Sequence, residues 1–417
     1  MLKYAVDHRD DYIKEAKNEI DIKSMTCNEK AMADYFLDRF EKMGADEVFR
    51  DGAGNVVAIF KGTGEGPNIL LNGHMDTVPE GNIEAWGPYD PYNAVVDEEG
   101  KLHGRGASDL KGGMAAMVVA TEALVNEYIK KGNKFPGDLI FLGVVQEEPA
   151  EMFGMRYFFE KTMPEKGIKA DLVYLAEPSS NRLVLGQRGK VELVVTTYGK
   201  CAHSSQPWQG ISALELMSPI INAIYAEEGF DLSPDKTGIK CPITITTCDV
   251  FPGGTLSVVP DKCIISVDRR YKPGLTLDDL LNEFKALFAK CEEKNPDFRA
   301  TVEPRYYEET AYTGYVEKVP KAHPAWQTDP ENEFVKLSFE ALEEIGQPTE
   351  EGYWLFGTDG GMTQAAYGIP TIGYSGALEG QAHQPQEWCD VEEMLKTFSG
   401  YIAMLCKIWG IDIELFK

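Results

Sequence analysis

The 417-residue sequence predicts an α/β protein in which a ferredoxin-like domain is inserted into a larger α/β domain. Short apolar runs alternate with amphipathic helices over the first 180 residues, a βαββαβ pattern follows, and the first pattern then returns. At this length a single hydrophobic core no longer grows with the chain, so two domains are expected.

The first region combines continuous apolar runs with helical periodicity. Residues 68–72, 138–145 and 171–176 have strand length, and their unbroken hydrophobicity indicates strands that are covered on both faces. Apolar residues recur at helical spacing over 31–42 and 114–128. The sequence therefore predicts a sheet with helices on both faces.

The middle region predicts a ferredoxin-like unit. Its elements are a strand at 190–198, a helix at 211–227, strands at 242–251 and 263–271, a helix at 275–291 and a strand at 298–306. This βαββαβ order is the signature of that motif.

The chain then returns to the first pattern, with a helix at 331–345, a short strand at 368–374 and a final helix at 391–409. We therefore predict a discontinuous domain of residues 1–185 and 304–417 and an inserted domain of residues 186–303. The stretch 307–330, rich in Tyr, Glu and Pro, is expected to form a loop near the functional site.

The acidic composition argues against several classes of partner. Asp and Glu number 67 against 41 Lys and Arg, a net charge of -26 that disfavours nucleic acid and anionic membranes. No apolar leader or 18-residue apolar run occurs, so a cytoplasmic protein is expected. The eight cysteines lack CxxC spacing, which argues against a disulfide framework and a thiolate zinc site.

Acidic and histidine side chains follow three of the predicted strands. His74, the Glu147-Glu148 pair and Glu177 each come directly after an apolar run. Open α/β sheets bind ligands beyond the carboxyl ends of their strands, so these side chains should converge. Imidazole nitrogen and carboxylate oxygen are zinc ligands. The candidate two-metal set is His74, Asp109, Glu148, Glu177 and His383.

These residues also have plainer interpretations. A lone histidine after a strand is more often structural, but Asp76 lies two positions beyond His74, and metal-bound imidazoles commonly need such a carboxylate. The glycines at 104–106 could indicate a nucleotide loop, but Asp109 replaces the third glycine of that fingerprint. His323 is interpreted as a loop residue that could line the pocket.

Ordered motifs along essentially the whole chain resemble the co-catalytic metallopeptidase family that includes aminoacylase, acetylornithine deacetylase, succinyl-diaminopimelate desuccinylase and a folate-cleaving glutamate carboxypeptidase. The motifs are Gly73 to Pro79, Gly104 to Gly113, Glu147-Glu148, Glu177-Pro178, Gly199 to Ser205 and Ala382-His383. A closer likeness, to a hydrolase branch linked with selenium-dependent or purine metabolism, is based on Ser257 to Pro260, Asp268 to Arg270 and Gly357 to Gly360.

The resemblance implies a zinc-peptidase-like α/β/α catalytic domain with a lid that also forms a homodimer. It implies two divalent ions bridged by Asp109, with zinc expected and cobalt or manganese as alternatives. His74 and Glu177 would complete one site, and Glu148 and His383 the other. A cis peptide bond after Asp109 is also expected from the family.

The resemblance further implies a mechanism of amide hydrolysis. Glu147 would act as the general base and acid, Asp76 would orient His74, and His203 would stabilise the oxyanion from the partner subunit's lid. The substrate would be a small carboxylate-bearing amide, either an N-acyl amino acid or a dipeptide.

Substrate binding is predicted at four residues and is the point where this chain departs from its relatives. The predicted contacts are Arg269, Arg270, Gly357 and Thr358. One of the two arginines could pair with a substrate carboxylate, and the alternative for these arginines is a surface salt bridge. Relatives often carry Asn in place of Ser257, and an Asp-Glu pair closely follows their last histidine, where this chain has Gln384 to Glu387. The alternative function is a non-catalytic small-molecule-binding protein on the same scaffold. A metal-free structural protein would require every motif to be coincidental.

Overall fold

The computed structural model describes residues 1–149, 152–252 and 257–417. Its helices are α1 (Lys3–Asp7), α2 (Arg9–Asp21), α3 (Lys30–Met43), α4 (Lys111–Glu127), α5 (Phe153–Tyr157), α6 (Met163–Lys166), α7 (Ala213–Tyr225), α8 (Leu277–Lys294), α9 (Glu333–Glu344) and α10 (Val391–Trp409). Short 3₁₀ turns lie at Ile83–Trp86, Ile129–Lys131, Pro207–Gln209, Glu379–Gln381 and Ile413–Phe416, and π-helical turns at Phe158–Thr162 and Gly361–Ala366.

The strands are β1 (Glu47–Arg50), β2 (Val56–Phe60), β3 (Ile69–His74), β4 (Val95–Val96), β5 (Lys101–His103), β6 (Leu139–Val144), β7 (Leu172–Leu175), β8 (Leu183–Gln187), β9 (Gly189–Tyr198), β10 (Ala202–His203), β11 (Ile243–Phe251), β12 (Val258–Val259), β13 (Lys262–Tyr271), β14 (Ala300–Pro304), β15 (Tyr306–Thr310), β16 (Val316–Pro320), β17 (Ala322–His323), β18 (Trp326–Gln327), β19 (Glu351–Trp354), β20 (Thr371–Gly373) and β21 (Trp388–Asp390).

The larger sheet has a parallel centre. Its strand order is β1-β2-β6-β3-β7-β20-β8-β18, with β19 also paired to β8. Strands β6, β3, β7 and β20 run parallel to one another, and β2 and β8 join them antiparallel. All residues of β6, β3 and β7 are buried, as the continuous apolar runs predict. The carboxyl ends of these three strands therefore meet at one edge.

The two faces of this sheet pack into separate cores. Ile69 and Leu71 of β3 belong to the core formed with α2, α3, α4 and α10. Leu70 between them points to the opposite core, which contains Phe158 and Trp354. This arrangement confirms the predicted α/β class.

Helix α10 shows how the ends of a buried helix are fixed. The Asp390 side chain accepts the N–H groups of Glu392 and Glu393, and the helix ends at Gly410 with φ 65°. Among the described residues, no helix combines the length and the apolar character needed to cross a lipid bilayer.

The smaller antiparallel sheet has strand order β11-β13-β9-β14, with β17 also paired to β9. Helices α7 and α8 share its hydrophobic core. Along the chain these elements follow the predicted βαββαβ order, so the ferredoxin-like prediction is confirmed. We call this unit the lid.

The prediction that residues 307–330 form a loop is wrong, because much of this stretch forms strands. Strands β15 and β16 form a hairpin whose turn contains Gly314 at φ 86°. Tyr312 in this turn donates a hydrogen bond to the Gly54 carbonyl at 2.8 Å, which attaches the hairpin to the larger domain. Aromatic and β-branched residues are favoured in strands, so this stretch pairs as strands and does not form an open loop.

Candidate active site

Strand order explains why three acidic segments meet. His74 is the last residue of β3, which lies between β6 and β7 in the sheet. Glu147 follows β6, and Glu177 follows β7. Because the three strands are parallel, these side chains come together at one edge of the sheet, as the sequence predicts.

Asp109 lies between the two histidines of the candidate metal set. Its Oδ1 is 3.1 Å from Nε2 of His74, and its Oδ2 is 3.2 Å from Nε2 of His383. The peptide bond between Asp109 and Leu110 is cis, which confirms that expectation. The two oxygens of one carboxylate thus face two different imidazoles.

The remaining acids complete two groups around Asp109. Nε2 of His383 is 2.9 Å from Oε2 of Glu148. On the other side, Nε2 of His74 is 3.9 Å from Glu177 Oε1 and 4.0 Å from Glu147 Oε2. His74 is buried, whereas half of the His383 side chain is exposed.

The site crowds negative charge into a buried space. Burial, together with neighbouring carboxylates, raises the pKa values of Glu147, Glu148 and Glu177. Burial alone would also raise the pKa of Asp109, but hydrogen bonds from both histidines lower it below its usual range. Hydrogen bonds to Asp109 and Glu148 raise the pKa of His383 to about 10.

This donor set fits divalent cations. Ligand atoms of His74, Glu147 and Glu177 lie within 4.8 Å of one another, and so do those of His74, Asp109 and Glu148. Imidazole and carboxylate donors suit zinc, cobalt and manganese, and bound cations would relieve the repulsion among the carboxylates.

Asp76 contacts the site differently from the prediction. Nδ1 of His74 is 2.8 Å from the main-chain carbonyl oxygen of Asp76 but 3.8 Å from its carboxylate. That carboxylate instead accepts the N–H groups of Glu147 and Glu148 at 3.1 and 3.3 Å. Asp76 therefore orients His74 through its backbone and holds the Glu147-Glu148 segment through its side chain.

Glu387 positions the loop that carries Asp109. This buried carboxylate accepts hydrogen bonds from the N–H groups of Gly106, Ser108 and Asp109 at 3.1, 2.8 and 2.9 Å. It also pairs with Arg105 at 2.6 Å. The segment Gln384 to Glu387, which differs from the relatives, thus contains a glutamate that holds the Asp109 loop in place. The one signal in the sequence that could have identified Glu387 is its position four residues beyond a candidate ligand.

A cavity of about 300 Å³ opens onto the candidate metal ligands. Its wall on the larger domain carries Asp109, Glu147, Glu148, Glu177 and His383. Lys190, Arg270 and His323, which come from strands of the lid sheet, also line the cavity. We call the first group the acidic wall and the second group the basic wall.

The two predicted arginines lie in different places. Arg270 lines the cavity and donates from Nε to Asp268 at 2.7 Å. Arg269 is fully buried within the lid, where its guanidinium pairs with Glu283 at 3.1 Å. Neighbouring residues of a strand point to opposite faces, so a substrate-binding role for Arg269 is not compatible with its position.

Gly357 and Thr358 also separate. Gly357 lines the cavity, against the ring of His323. Thr358 is buried, and both its N–H and its hydroxyl donate to Oε1 of Gln187, at 2.8 and 2.6 Å. This side chain stabilises the loop and offers no exposed group to a substrate, which corrects the prediction made for it.

His203 lies outside the cavity of its own chain. It is exposed on β10 of the lid, and Nδ1 is 2.7 Å from the hydroxyl of Ser205. This position leaves it available to another molecule.

Sequence reasoning missed Lys190 and Asp359 as parts of the site region. Asp359 is buried beside the candidate ligands, and burial raises its pKa to about 7. The sequence predicts His323 as a loop residue that could line the pocket, and the structure places it in strand β17, where it does line the cavity. The alternation of β9 and the glycines around Asp359 were visible signals, but neither identifies what the side chain faces.

The chain matches known proteins along most of its length. The protein-family model described as "Peptidase family M20/M25/M40" matches residues 70–407 of this chain. An uncharacterised protein of Escherichia coli K12, YgeY, is 31% identical over 389 residues, covering 93% of this chain and 92% of that protein. A succinyl-diaminopimelate desuccinylase from Ectopseudomonas mendocina is 31% identical over 236 residues, 54% of this chain and 59% of the enzyme.

Solved structures share the fold at lower sequence identity. Aminopeptidase PepT from Bacillus cereus is 20% identical, with a TM-score of 0.71 over 96% of this chain and 98% of that chain. A dinuclear metal-binding peptidase from Bacillus subtilis, YXEP, is 16% identical, with a TM-score of 0.67 over 97% and 98%.

Proposed function

The chain belongs to peptidase family M20/M25/M40, and on that premise we propose that it cleaves the amide bond of a small carboxylate-bearing molecule, either an N-acyl amino acid or a dipeptide. The protein is a hydrolase of amide bonds. The observation that carries the proposal is Asp109, whose two carboxylate oxygens face His74 and His383 at 3.1 and 3.2 Å.

In this proposal His74, Asp109 and Glu177 would hold one divalent ion, and Asp109, Glu148 and His383 would hold a second. Zinc is the proposed metal, with cobalt and manganese as alternatives that the same donors accept. When bound, the two ions supply the Lewis acidity that polarises a water molecule and the scissile carbonyl.

Glu147 is the proposed general base and acid. It is buried, lines the cavity, and has a carboxylate oxygen 4.0 Å from Nε2 of His74. Its carboxylate takes the proton from the attacking water and returns it to the departing nitrogen. The two N–H bonds to Asp76 hold the Glu147-Glu148 backbone in the orientation that this transfer requires.

We further propose a homodimer formed through the lid. The exposed position of His203 supports this, because its imidazole is free to enter the site of another copy. There, His203 of the partner subunit would donate a hydrogen bond to the developing oxyanion. A cytoplasmic location stays a prediction from the sequence.

The test is hydrolysis of a panel of N-acyl amino acids and dipeptides by zinc-loaded protein. The Glu147→Gln variant should lose about 100- to 10,000-fold in kcat while keeping its bound metal. Glu160→Gln, which removes the same charge from a partly exposed residue paired with Arg156, is the matched control and should keep its activity. Equal rates for the wild type and Glu147→Gln would refute the mechanism, and metal binding without any turnover would favour the non-catalytic binding protein.

The dimer has its own test. Mixed His203→Ala and Glu147→Gln subunits should regain activity that neither has alone, because one of the two sites is then complete. A monomer in light scattering, or mixtures no more active than their components, would exclude the contribution of His203 in trans.

A further inference from the structure

Arg270, Lys190 and His323 form a single row across the lid sheet. In the strand register Lys190 of β9 lies directly opposite Arg270 of β13 on one side and His323 of β17 on the other. Directly opposed residues of antiparallel strands point to the same face. All three side chains line the cavity, and a row across three strands is about 10 Å wide.

The row places two like charges side by side. Directly opposed cations destabilise a sheet, so this pairing needs compensation. Asp268 compensates Arg270 through a hydrogen bond of 2.7 Å, whereas Lys190 lies 3.5 Å from Glu192 and 3.8 Å from Asp268. Lys190 therefore has the weaker compensation and faces the cavity.

His323 brings an unsatisfied polar atom to the same row. It is 2% exposed, and its Nε2 has no hydrogen-bond partner among the described residues. Burial, with the charges of Lys190, Lys321 and Arg270, lowers its pKa to about 3, so the ring is neutral and able to donate one N–H. A buried donor without a partner destabilises the folded state, and a ligand that accepts its hydrogen bond would remove this destabilisation.

The glycine at 357 preserves the position of this ring. A Cβ atom at Gly357 would lie 2.4 Å from Nδ1 of His323. Any larger residue would therefore push the imidazole away from the cavity wall.

We propose that Arg270, Lys190 and His323 form an anion subsite that selects substrates with two carboxylate groups, and that Lys190 and His323 determine this specificity. Arg270 binds one carboxylate, and Lys190 and His323 bind the second. The width of the row fits two separated anions better than one compact dianion. The inference rests on the proposed function only for the bond that is cleaved, since the subsite binds its ligand whether or not cleavage follows.

The test compares two ligands that differ in a single group, N-acetylglutamate and N-acetylglutamine. Calorimetry uses metal-loaded protein carrying Glu147→Gln, so that neither ligand is consumed. N-acetylglutamate should bind at least about 10-fold more tightly, and an added Lys190→Met substitution should abolish the preference. Lys318→Met, which removes a positive charge from β16 outside the cavity wall, is the matched control and should retain it.

The subsite and the proposed function fail in different ways. Equal affinities for the two ligands, or a preference that survives Lys190→Met, would overturn the subsite even if hydrolysis is observed. Tighter binding of inorganic phosphate than of N-acetylglutamate would also overturn it, because the row would then take a compact dianion. Selective binding of N-acetylglutamate, with no cleavage of any amide in the panel by the zinc-loaded wild type, would support the subsite and refute the hydrolytic mechanism.

His323 is tested by replacing its ring with and without a donor. His323→Phe keeps a ring over Gly357 but lacks the N–H, and should weaken N-acetylglutamate binding about 3- to 10-fold with little change for N-acetylglutamine. His323→Gln supplies an amide donor near the Nε2 position and should restore most of the difference. Equal losses for both ligands in both variants, with lowered unfolding temperatures, would assign His323 a purely structural role.

Discussion

The two walls of the cavity are built in different ways. The acidic wall collects its residues from the ends of parallel strands, and backbone N–H groups hold Asp76 and Glu387 behind it. The basic wall is a row of side chains in the lid, set by antiparallel register. In the proposed function, bond cleavage depends on the first wall and substrate choice on the second, so substitutions in the lid can change specificity without changing the reaction.

The largest effect should follow from Asp109→Asn, which breaks the acidic wall. The amide cannot bridge two cations, so the bound metal should fall below about one ion per chain and kcat/KM by at least about 1,000-fold. Asp97→Asn makes the same chemical change at a His–Asp pair outside the cavity, where His103 is 2.9 Å away, and should retain both ions. Metal analysis and kinetic measurements on the same samples test this prediction. Two retained ions in Asp109→Asn would contradict the proposed bridging role.

Substitutions of the neighbouring residues Arg269 and Arg270 should have different effects on stability and on ligand binding. Arg269→Met breaks a buried ion pair with Glu283 and should lower the free energy of unfolding by about 3 to 4 kcal/mol without altering ligand preference. Arg270→Met should instead weaken binding of carboxylate ligands about 10-fold or more, with little loss of stability. Denaturant titration and calorimetry on both variants check this, and exchanged outcomes would place the anion site at Arg269.

Removal of the metal ions from the acidic wall should lower the stability of the folded protein. Each ion present at about 100 times its dissociation constant stabilises the folded state by about 2.7 kcal/mol, and a chelator removes this contribution. Thermal unfolding with and without EDTA measures the effect, which Lys190→Met should show to the same extent. An unchanged unfolding temperature would indicate that the carboxylates tolerate their repulsion without cations.

The smallest effect is the acid sensitivity that His323 gives the basic wall. Its folded pKa, about 3, lies below the ordinary value of 6.5, so the unfolded chain takes up a proton as the pH falls below 6.5 while the folded chain does not. Between pH 7 and pH 5 this group should reduce stability by about 2 kcal/mol. His323→Gln should lose correspondingly less stability over that range in denaturant titrations, and equal losses would show that the imidazole is protonated when folded.

Much of the acidic wall was predictable from the sequence because its residues are coupled to local signals. His74 and Glu177 directly end apolar runs, and parallel strands bring such ends together whatever the rest of the fold does. The ferredoxin-like order of the lid was equally visible, since its strands and helices keep their own periodicities.

The basic wall could not be predicted in the same way. Lys190 and His323 are 133 positions apart and become neighbours only through strand register, which leaves no local pattern. The sequence predicts a substrate contact at Thr358, but the loop turns its hydroxyl to Gln187. The sequence predicts a loop where β15 and β16 form a hairpin, because the Pro and Glu content of this stretch masks the alternation of its aromatic residues.

The hydrogen bond from Asp109 to Glu387 joins residues 278 positions apart. During synthesis, the N-terminal part of the chain leaves the ribosome with the Asp109 loop still lacking its acceptor. The Asp109 loop can make its hydrogen bonds to Glu387 only after the segment that contains Glu387 has also emerged. A chain that stops just before Glu387 would therefore carry all five candidate metal ligands without the buried carboxylate that holds the Asp109 loop.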